Sequence, residues 1–491
     1  MKKWTHITLM TGFLAFILIM SSCDQSPKKI AFRINHFQLN LDPATMADIE
    51  SRKVATLLHA GLVAVDIDGK ITPRLAESWT KRDDTTWVFK LKNNVKFTDG
   101  KPVNAKAVVK SLCWSMQKSH LYSWALSSID HKLQDDGTVE CTGISVENDQ
   151  TISIRESKPV PWLLESLDSP AGWIVGNPGE KPAAWGVRPG IGPFRFDNIE
   201  TDSKIELVAR NDGSVEPKVE QVIFRYISDS LAATRMFQQD ELDLLRVENP
   251  DMLKLLKNTK TNLIHHKFQR FRIIIVSRSA LNGKGFSEEQ IQDFIAAYSA
   301  AVDRDRIAEM SGGLAQPMET AFPPVANFPD YKPIQVSKMT DSFPQTNLVL
   351  LTINDAYSDL IAGSLPKSIE KVRINYRAVE SSLLINALFS GEADLISMLI
   401  DATSSSPTFW ASFWTPNSSF VAFGTPIRRF SELDFTSHND IVTAAKAVDE
   451  SGNWVGVLKE TGILAVNPRL KGLRLTPSGQ VSLEGISFGS N

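Results

Sequence analysis

Cysteine is scarce here, with three in 491 residues, which leaves room for one internal disulfide at most. Net charge is small, −3 with histidine neutral. A general nucleic-acid binder needs a basic surface to neutralise phosphates, so that class is excluded. Beyond the N-terminus no apolar run approaches the roughly 20 residues of a membrane span. Catalytic signatures are also missing: there is no His-Glu-x-x-His pair, no phosphate loop with its lysine and no nucleophile motif. Absence of such motifs argues against an enzyme, and no cofactor is called for. What remains is ordinary for a globular chain, 42% hydrophobic and 22% charged. At 491 residues it is too long for one ordinary domain and long enough for large cores.

The first residues carry the most explicit signal. Met1-Lys2-Lys3 is a short basic start, residues 7–20 are apolar, and Met20-Ser21-Ser22-Cys23 follows. Small residues before a cysteine predict a lipoprotein signal, residues 1–22, cut before Cys23. Lipid on Cys23 would tether the chain to a membrane surface; an ordinary secretory signal is the alternative. Asp24 resembles the signal that keeps Gram-negative lipoproteins in the inner membrane. The expected location is therefore the periplasmic side of the cell membrane, or its outer face where there is no outer membrane. Polar residues 23–30 suit a tether. An exported chain can pair Cys113 with Cys141, and a free buried pair fits the sequence as well.

Composition goes no further than an exported α/β protein, and residues 75–114 go further. Trp87-Val88-Phe89-Lys90-Leu91-Lys92 alternates as a half-buried strand does. Val95-Lys96-Phe97 resumes the strand pattern, Asp99-Gly100 turns the chain, and Ala107, Val108 and Leu112 mark an amphipathic helix with Asn104 as N-cap. This stretch resembles the signature of the family 5 extracellular solute-binding proteins, the oligopeptide- and dipeptide-binding components of ABC importers. Ala76, Trp79, Asp83, Trp87, Phe89, Leu91, Lys92, Phe97, Asp99, Gly100, Ala105 and Val108 fill the places of that signature.

Further segments carry the same resemblance. Leu41-Asp42-Pro43 ends an extended opening from residue 31. Gly61 to Gly69 is similar to a hairpin of the family, and residues 159–167 to a helix start. Gly190-Ile191-Gly192-Pro193-Phe194 matches its Gly-x-Gly-Pro-aromatic bend. Glu241-Leu242-Asp243 matches a segment where Asp240 stands in place of the usual glycine. Residues 288–310 read as one long helix, ending in Asp303-Arg304, and residues 466–473 match the closing segment.

The resemblance implies an α/β, two-lobed periplasmic binding protein, class II-like with mixed sheets. Lobe I would be discontinuous, made of residues 31–54, 186–266 and 466–491. Residues 55–185 would be an extra domain inserted in it, and residues 267–465 would form lobe II. The implied partners are an oligopeptide or other small ligand held between the lobes and the permease subunits in the membrane, with the chain a monomer.

Ligand contacts are expected where the family chain passes its ligand, at His36, Phe37 and Gln38, although Phe37 fits a core role equally. They are also expected where the chain crosses between lobes, at Gln269 and Arg270. Arg270 and Arg272 share a strand face and suit a carboxylate or an ion pair between lobes. His265 and His266 are adjacent on a strand and point to opposite faces, which does not suit one metal ion. Peptide-binding relatives hold the peptide amine with the Asp of an Asp-Tyr-x-x-Pro motif. Here Pro407 fits, but Thr403 stands where that Asp belongs, and Asp401 lies two positions earlier. An ammonium buried between lobes needs a charged partner, so a non-standard ligand is the alternative: a modified peptide, a glutathione-like thiol, a metal chelate or a sugar. Phe409 and Trp410 suit an apolar pocket wall or helix packing. A surface lipoprotein with an adhesion or signalling role is the reading from another class.

Overall fold

The computed structural model describes residues 28–46, 48–118, 123–135, 138–257, 261–322, 342–353, 358–380, 383–384, 387, 390, 393–401, 438–451, 453–476, 479–483 and 485–489. At positions 267–269, 358–360, 401, 438 and 441 the description covers the backbone alone. The signal peptide, Cys23 and residues 402–437 lie outside it.

Strand β1 (Lys29–Ile34) opens the fold. The extended opening expected as far as residue 41 leaves the sheet after Ile34. A turn follows, in which Thr45 and Met46 donate backbone hydrogen bonds to the Asp42 carbonyl. The first helix then runs over Ile49–Leu58, with the Asp48 carboxylate accepting from the Ser51 amide at 2.8 Å.

Residues 63–155 build a separate body. Strands β2 (Val63–Val65) and β3 (Ile71–Pro73) form a hairpin. Strands β4 (Ala76–Lys81) and β5 (Thr86–Leu91) continue from it. The helix Ala105–Lys118 follows, and the Asn104 side chain accepts from the Ala107 amide as its cap. Strands β6 (His131–Leu133) and β7 (Val139–Cys141) pair with each other. Strands β8 (Ile144–Asn148) and β9 (Thr151–Arg155) complete a sheet of order β4-β5-β9-β8. Val95-Lys96-Phe97 does not resume a strand. Gly100, at φ 82, folds this segment into a tight turn whose only ladder contact is the bridge between Lys96 and Pro102. The helix expected at 159–167 is one turn, Leu163–Ser166. Cys113, on the helix, and Cys141, on β7, are joined as a disulfide with Cα atoms 5.4 Å apart.

Gly190 and Gly192 have a steric reason. A Cβ at Gly190 would lie 2.1 Å from the Leu58 carbonyl oxygen, and one at Gly192 would lie 2.5 Å from that of Leu57. The bend after them is thus pressed onto the end of the helix Ile49–Leu58, where nothing larger fits.

The main sheet has twelve strands. Its first half holds β10 (Phe194–Glu200), β11 (Lys204–Ala209), β12 (Gln221–Tyr226), β1 and β13 (Leu244–Arg246). Two long strands follow, β14 (Asn262–Val276) and β20 (Trp454–Val466). The second half holds β16 (Thr346–Ile353), β17 (Ser368–Ile369), β18 (Val372–Val379) and β19 (Leu395–Asp401), and β15 (Ala315–Pro317) pairs with β20. Parallel and antiparallel pairs are mixed: β1 runs parallel to β12, and β14 antiparallel to β19. The single helix expected over 288–310 is two, Glu288–Ala301 and Arg304–Met310. Val302 is extended and Asp303 caps the second helix through the Arg306 amide. A buried core of 34 residues, among them Leu245, Ile274, Phe294 and Val457, spans both halves on one side of the sheet. On the other side the two halves have separate cores, one around Ile34, Leu207 and Phe224, the other around Phe271, Ile273 and Phe322. The fold is therefore two-lobed.

Candidate functional site

Among the described residues, β14 and β20 are the strands that belong to both lobes. Asn262 to His266 pair with Val466 to Gly462, and Arg270 to Ile275 pair with Glu460 to Trp454. Register shifts fall between His266 and Arg270 and between Arg272 and Ile273. Such irregularities bend a strand pair and raise its twist.

An ion cluster sits at the crossing. Arg270 donates to one oxygen of Glu460 from Nε at 2.8 Å, and its Nη2 lies 2.6 Å from the same oxygen. Arg246, at the end of β13, reaches that oxygen at 3.4 Å. Glu460 is 3% exposed, and its second oxygen has no hydrogen-bond partner among the described residues. The carboxylate thus joins Arg270, its neighbour across the strand pair, to Arg246 at the end of β13. Arg272 is fully buried and donates to Thr352 at 3.1 Å and Ser397 at 3.2 Å. The register sets Asp401 opposite Arg270.

A second network lines the lobe I side. Arg33 donates to the carbonyls of Ile227 and Ser228 and pairs with Glu248 at 2.7 Å. Asn35 donates to the other Glu248 oxygen at 3.3 Å. Burial raises the Glu248 carboxyl, but the charges of Arg33, Lys53 and Arg246 outweigh it and hold the group below its usual range. A cavity of about 100 Å³ touches Arg33, Arg246, His266 and Gly462.

His36 is partly exposed, with Nε2 3.2 Å from Asp48. The hydrogen bond to Asp48 raises the imidazole pKa against the opposing effect of burial. Ser51 donates to Asp48 at 2.6 Å. The hydroxyl is directed at the carboxylate and not at the imidazole, so the trio braces a helix start and does not activate a nucleophile. Phe37 packs into the lobe I core against Trp185 and Tyr226, at ring separations of 5.6 Å and 5.9 Å. Gln38 is exposed. For Gln269 and Asp401 the backbone alone is described, while Thr403, Phe409 and Trp410 lie outside the described residues. Of the residues singled out in the sequence, the fold brings Arg270 and Asp401 together and keeps His36 and Gln38 on the lobe I segment.

Arg33, Arg246, Glu248 and Glu460 were not legible as site residues. Glu460 carried a signal, a charge inside the apolar alternation of residues 454–466. No group of three metal-ligating side chains occurs among the described residues.

The model of the bacterial extracellular solute-binding proteins, family 5, matches residues 70–345, more than half of the chain. The chain belongs to that family. Relatives include the periplasmic oligopeptide-binding protein OppA of Escherichia coli, 24% identical over 241 residues, covering 46% of this chain and 44% of OppA. The glutathione-binding protein GsiB of Escherichia coli is 26% identical over 332 residues, covering 64% of this chain and 60% of GsiB. Each alignment therefore spans less than two thirds of the relative. Among solved structures, the Escherichia coli murein tripeptide-binding protein MppA superposes with a TM-score of 0.78 at 20% identity, covering 95% of this chain and 99% of MppA. The two-lobed fold of this solute-binding protein is thus shared along nearly its full length.

Proposed function

We propose that this protein is the extracytoplasmic substrate-binding component of an ABC importer. It captures an oligopeptide between its lobes, closes by bending at β14 and β20, and delivers the ligand to a membrane permease without breaking a bond. The observation that carries this reading is the crossing: two strands with register shifts join two lobes whose cores are separate on one side of the sheet. A joint of that kind permits hinge closure on a ligand. Lobe I comprises residues 31–54, 186–266 and 466–491, residues 55–185 are inserted in it, and lobe II comprises residues 267–465. The ligand lies against His36, Gln38, Gln269, Arg270, Asp401, Thr403, Phe409 and Trp410. Phe37 supports them from the core. Lipid on Cys23 holds the monomer at the membrane.

A second reading rests on Thr403. A neutral residue where peptide-binding relatives hold the amine favours a ligand without a free α-ammonium in the usual pose, and the relationship to GsiB supports a glutathione-like one.

Native mass spectrometry of purified residues 24–491 tests both readings. Peptides of mixed sequence released on denaturation establish the first, and one recurrent non-peptide or modified-peptide mass establishes the second. Small-angle scattering should show compaction when the recovered ligand is returned to empty protein. A ligand recovered chemically changed, or no compaction on its return, would sink the importer reading.

A further inference from the structure

A second cavity adjoins the one at the crossing and shares Arg52, Thr56, Gln480 and Leu483 with it. It encloses about 550 Å³ between the helix Ile49–Leu58, the hairpin β2–β3 and the C-terminal hairpin of strands Arg474–Leu475 and Val481–Ser482. None of its lining residues comes from lobe II. Its size is that of a small-molecule site.

Its walls hold buried polar atoms that the fold leaves without hydrogen bonds. Arg52 is 6% exposed, its Nε has no partner, and no hydrogen bond from its guanidinium occurs among the described residues. The Ser214 hydroxyl has no partner either, at 4% exposure. Such groups are rare in native proteins because each one forfeits its hydration. Two such donors, Arg52 and Ser214, in one cavity point to a bound acceptor. Trp173, Phe194, Val65 and Leu483 supply apolar surface beside them. Asp168 is also in the wall, held by the Val65 amide at 2.9 Å.

We propose that this cavity is a second ligand site, which takes a small organic carboxylate. The carboxylate lies on the Arg52 fork and the apolar body lies against Trp173 and Phe194. A guanidinium matches a carboxylate in charge and planar geometry, and the apolar lining selects an organic anion over a bare oxoanion. Arg52 borders the crossing cavity as well, whereas Trp173, Phe194 and Ser214 line this cavity and not that one.

Isothermal titration of residues 24–491 at pH 7 tests the proposal with three probes: hexanoate, hexanamide and inorganic phosphate. Hexanoate should bind and quench or shift Trp173 fluorescence, while hexanamide and phosphate bind at least tenfold more weakly. Arg52→Gln should weaken hexanoate at least tenfold, and Arg52→Lys should fall between. Thr56→Trp fills the cavity without removing a charge and should abolish binding, which covers the case in which Arg52→Gln does not fold. Equal hexanoate binding in wild type and Arg52→Gln, binding of phosphate alone, or no binding of hexanoate would overturn it. Ser214→Ala, at a residue that lines this cavity and not the one at the crossing, should weaken hexanoate and leave peptide or recovered-ligand binding between the lobes within twofold of wild type. A chain that binds hexanoate and no importer ligand would fail the importer reading and leave this site standing.

Discussion

Asp240 and Asn467, 227 positions apart, are joined by a 2.7 Å hydrogen bond from the Asn467 side-chain amide to the Asp240 carboxylate. Asp240 holds a left-handed backbone, φ 61. Asp tolerates that conformation better than most residues. Its carboxylate then gains a partner on the closing segment, and Arg469 on the same segment grips Asp243, with Nη2 2.6 Å from its carboxylate. The Asp240 side chain thus adds a contact that fastens the closing segment. Asp240→Ala keeps the strain and loses the bond, so it should cost about 2 kcal/mol. Asp240→Gly loses the bond but relieves the strain and should cost less than half as much. Urea unfolding of the two variants decides; equal losses would remove the strain from the account.

Glu460 is buried between Arg246 and Arg270. Glu460→Gln leaves two guanidiniums facing a neutral amide and should destabilise by about 3 kcal/mol. The double variant Glu460→Gln with Arg246→Gln should recover part of that loss. Coupling energy from a double-mutant cycle is the readout, and a value near zero would dismiss the pair as a lobe tie.

The Cys113–Cys141 disulfide closes a loop with sequence separation 28. Chain-entropy arguments give about 3–4 kcal/mol for such a loop. The double serine variant should lose that stability, and reductant should destabilise wild type but leave the variant unmoved. Peptide mapping without reductant should find the two cysteines in one linked fragment.

Two buried groups make opposite pH demands. Burial lowers the His59 pKa to about 4 from 6.5. Between those values the unfolded chain takes up a proton that the folded chain refuses, so stability is lost as pH falls, by about 3 kcal/mol in all. Burial raises Asp168 to about 7 from 3.8, against the amide of Val65 and the charges of Arg74 and Arg52. There the folded chain keeps a proton that the unfolded chain releases, so this contribution is greatest near pH 4 and is lost as pH rises to 7. His59→Gln should therefore make the protein relatively more stable at pH 4.5 than at pH 7, and Asp168→Asn should do the reverse. Denaturant unfolding at both values measures this, and parallel pH profiles for wild type and variants would refute it.

Local patterns were read well where they were strong. The alternation at Trp87 to Leu91 and the Asn104 cap both appear in the fold. Where a pattern was short, the surroundings decided: Val95 to Phe97 has a strand's alternation but too few residues before Gly100 to build a ladder. The helix over 288–310 was misread as continuous because Asp303 can cap a helix as readily as sit inside one. Arg270 was legible as a cation at the crossing, whereas its partner was not, because Glu460 lies 190 positions away.

By itself the sequence determined the strands and caps, because these rest on periodicity and on residues within a turn or two of each other, and the family and two-lobed class through the resemblance of its motifs to a family signature. Tertiary structure alone decided which charges meet. Glu460 between two arginines, Asp240 against Asn467, the disulfide, and the cavity walled by Arg52 and His59 all join segments far apart in the chain. Their partners are set by how sheets and helices stack, and burial then sets what each group must find there.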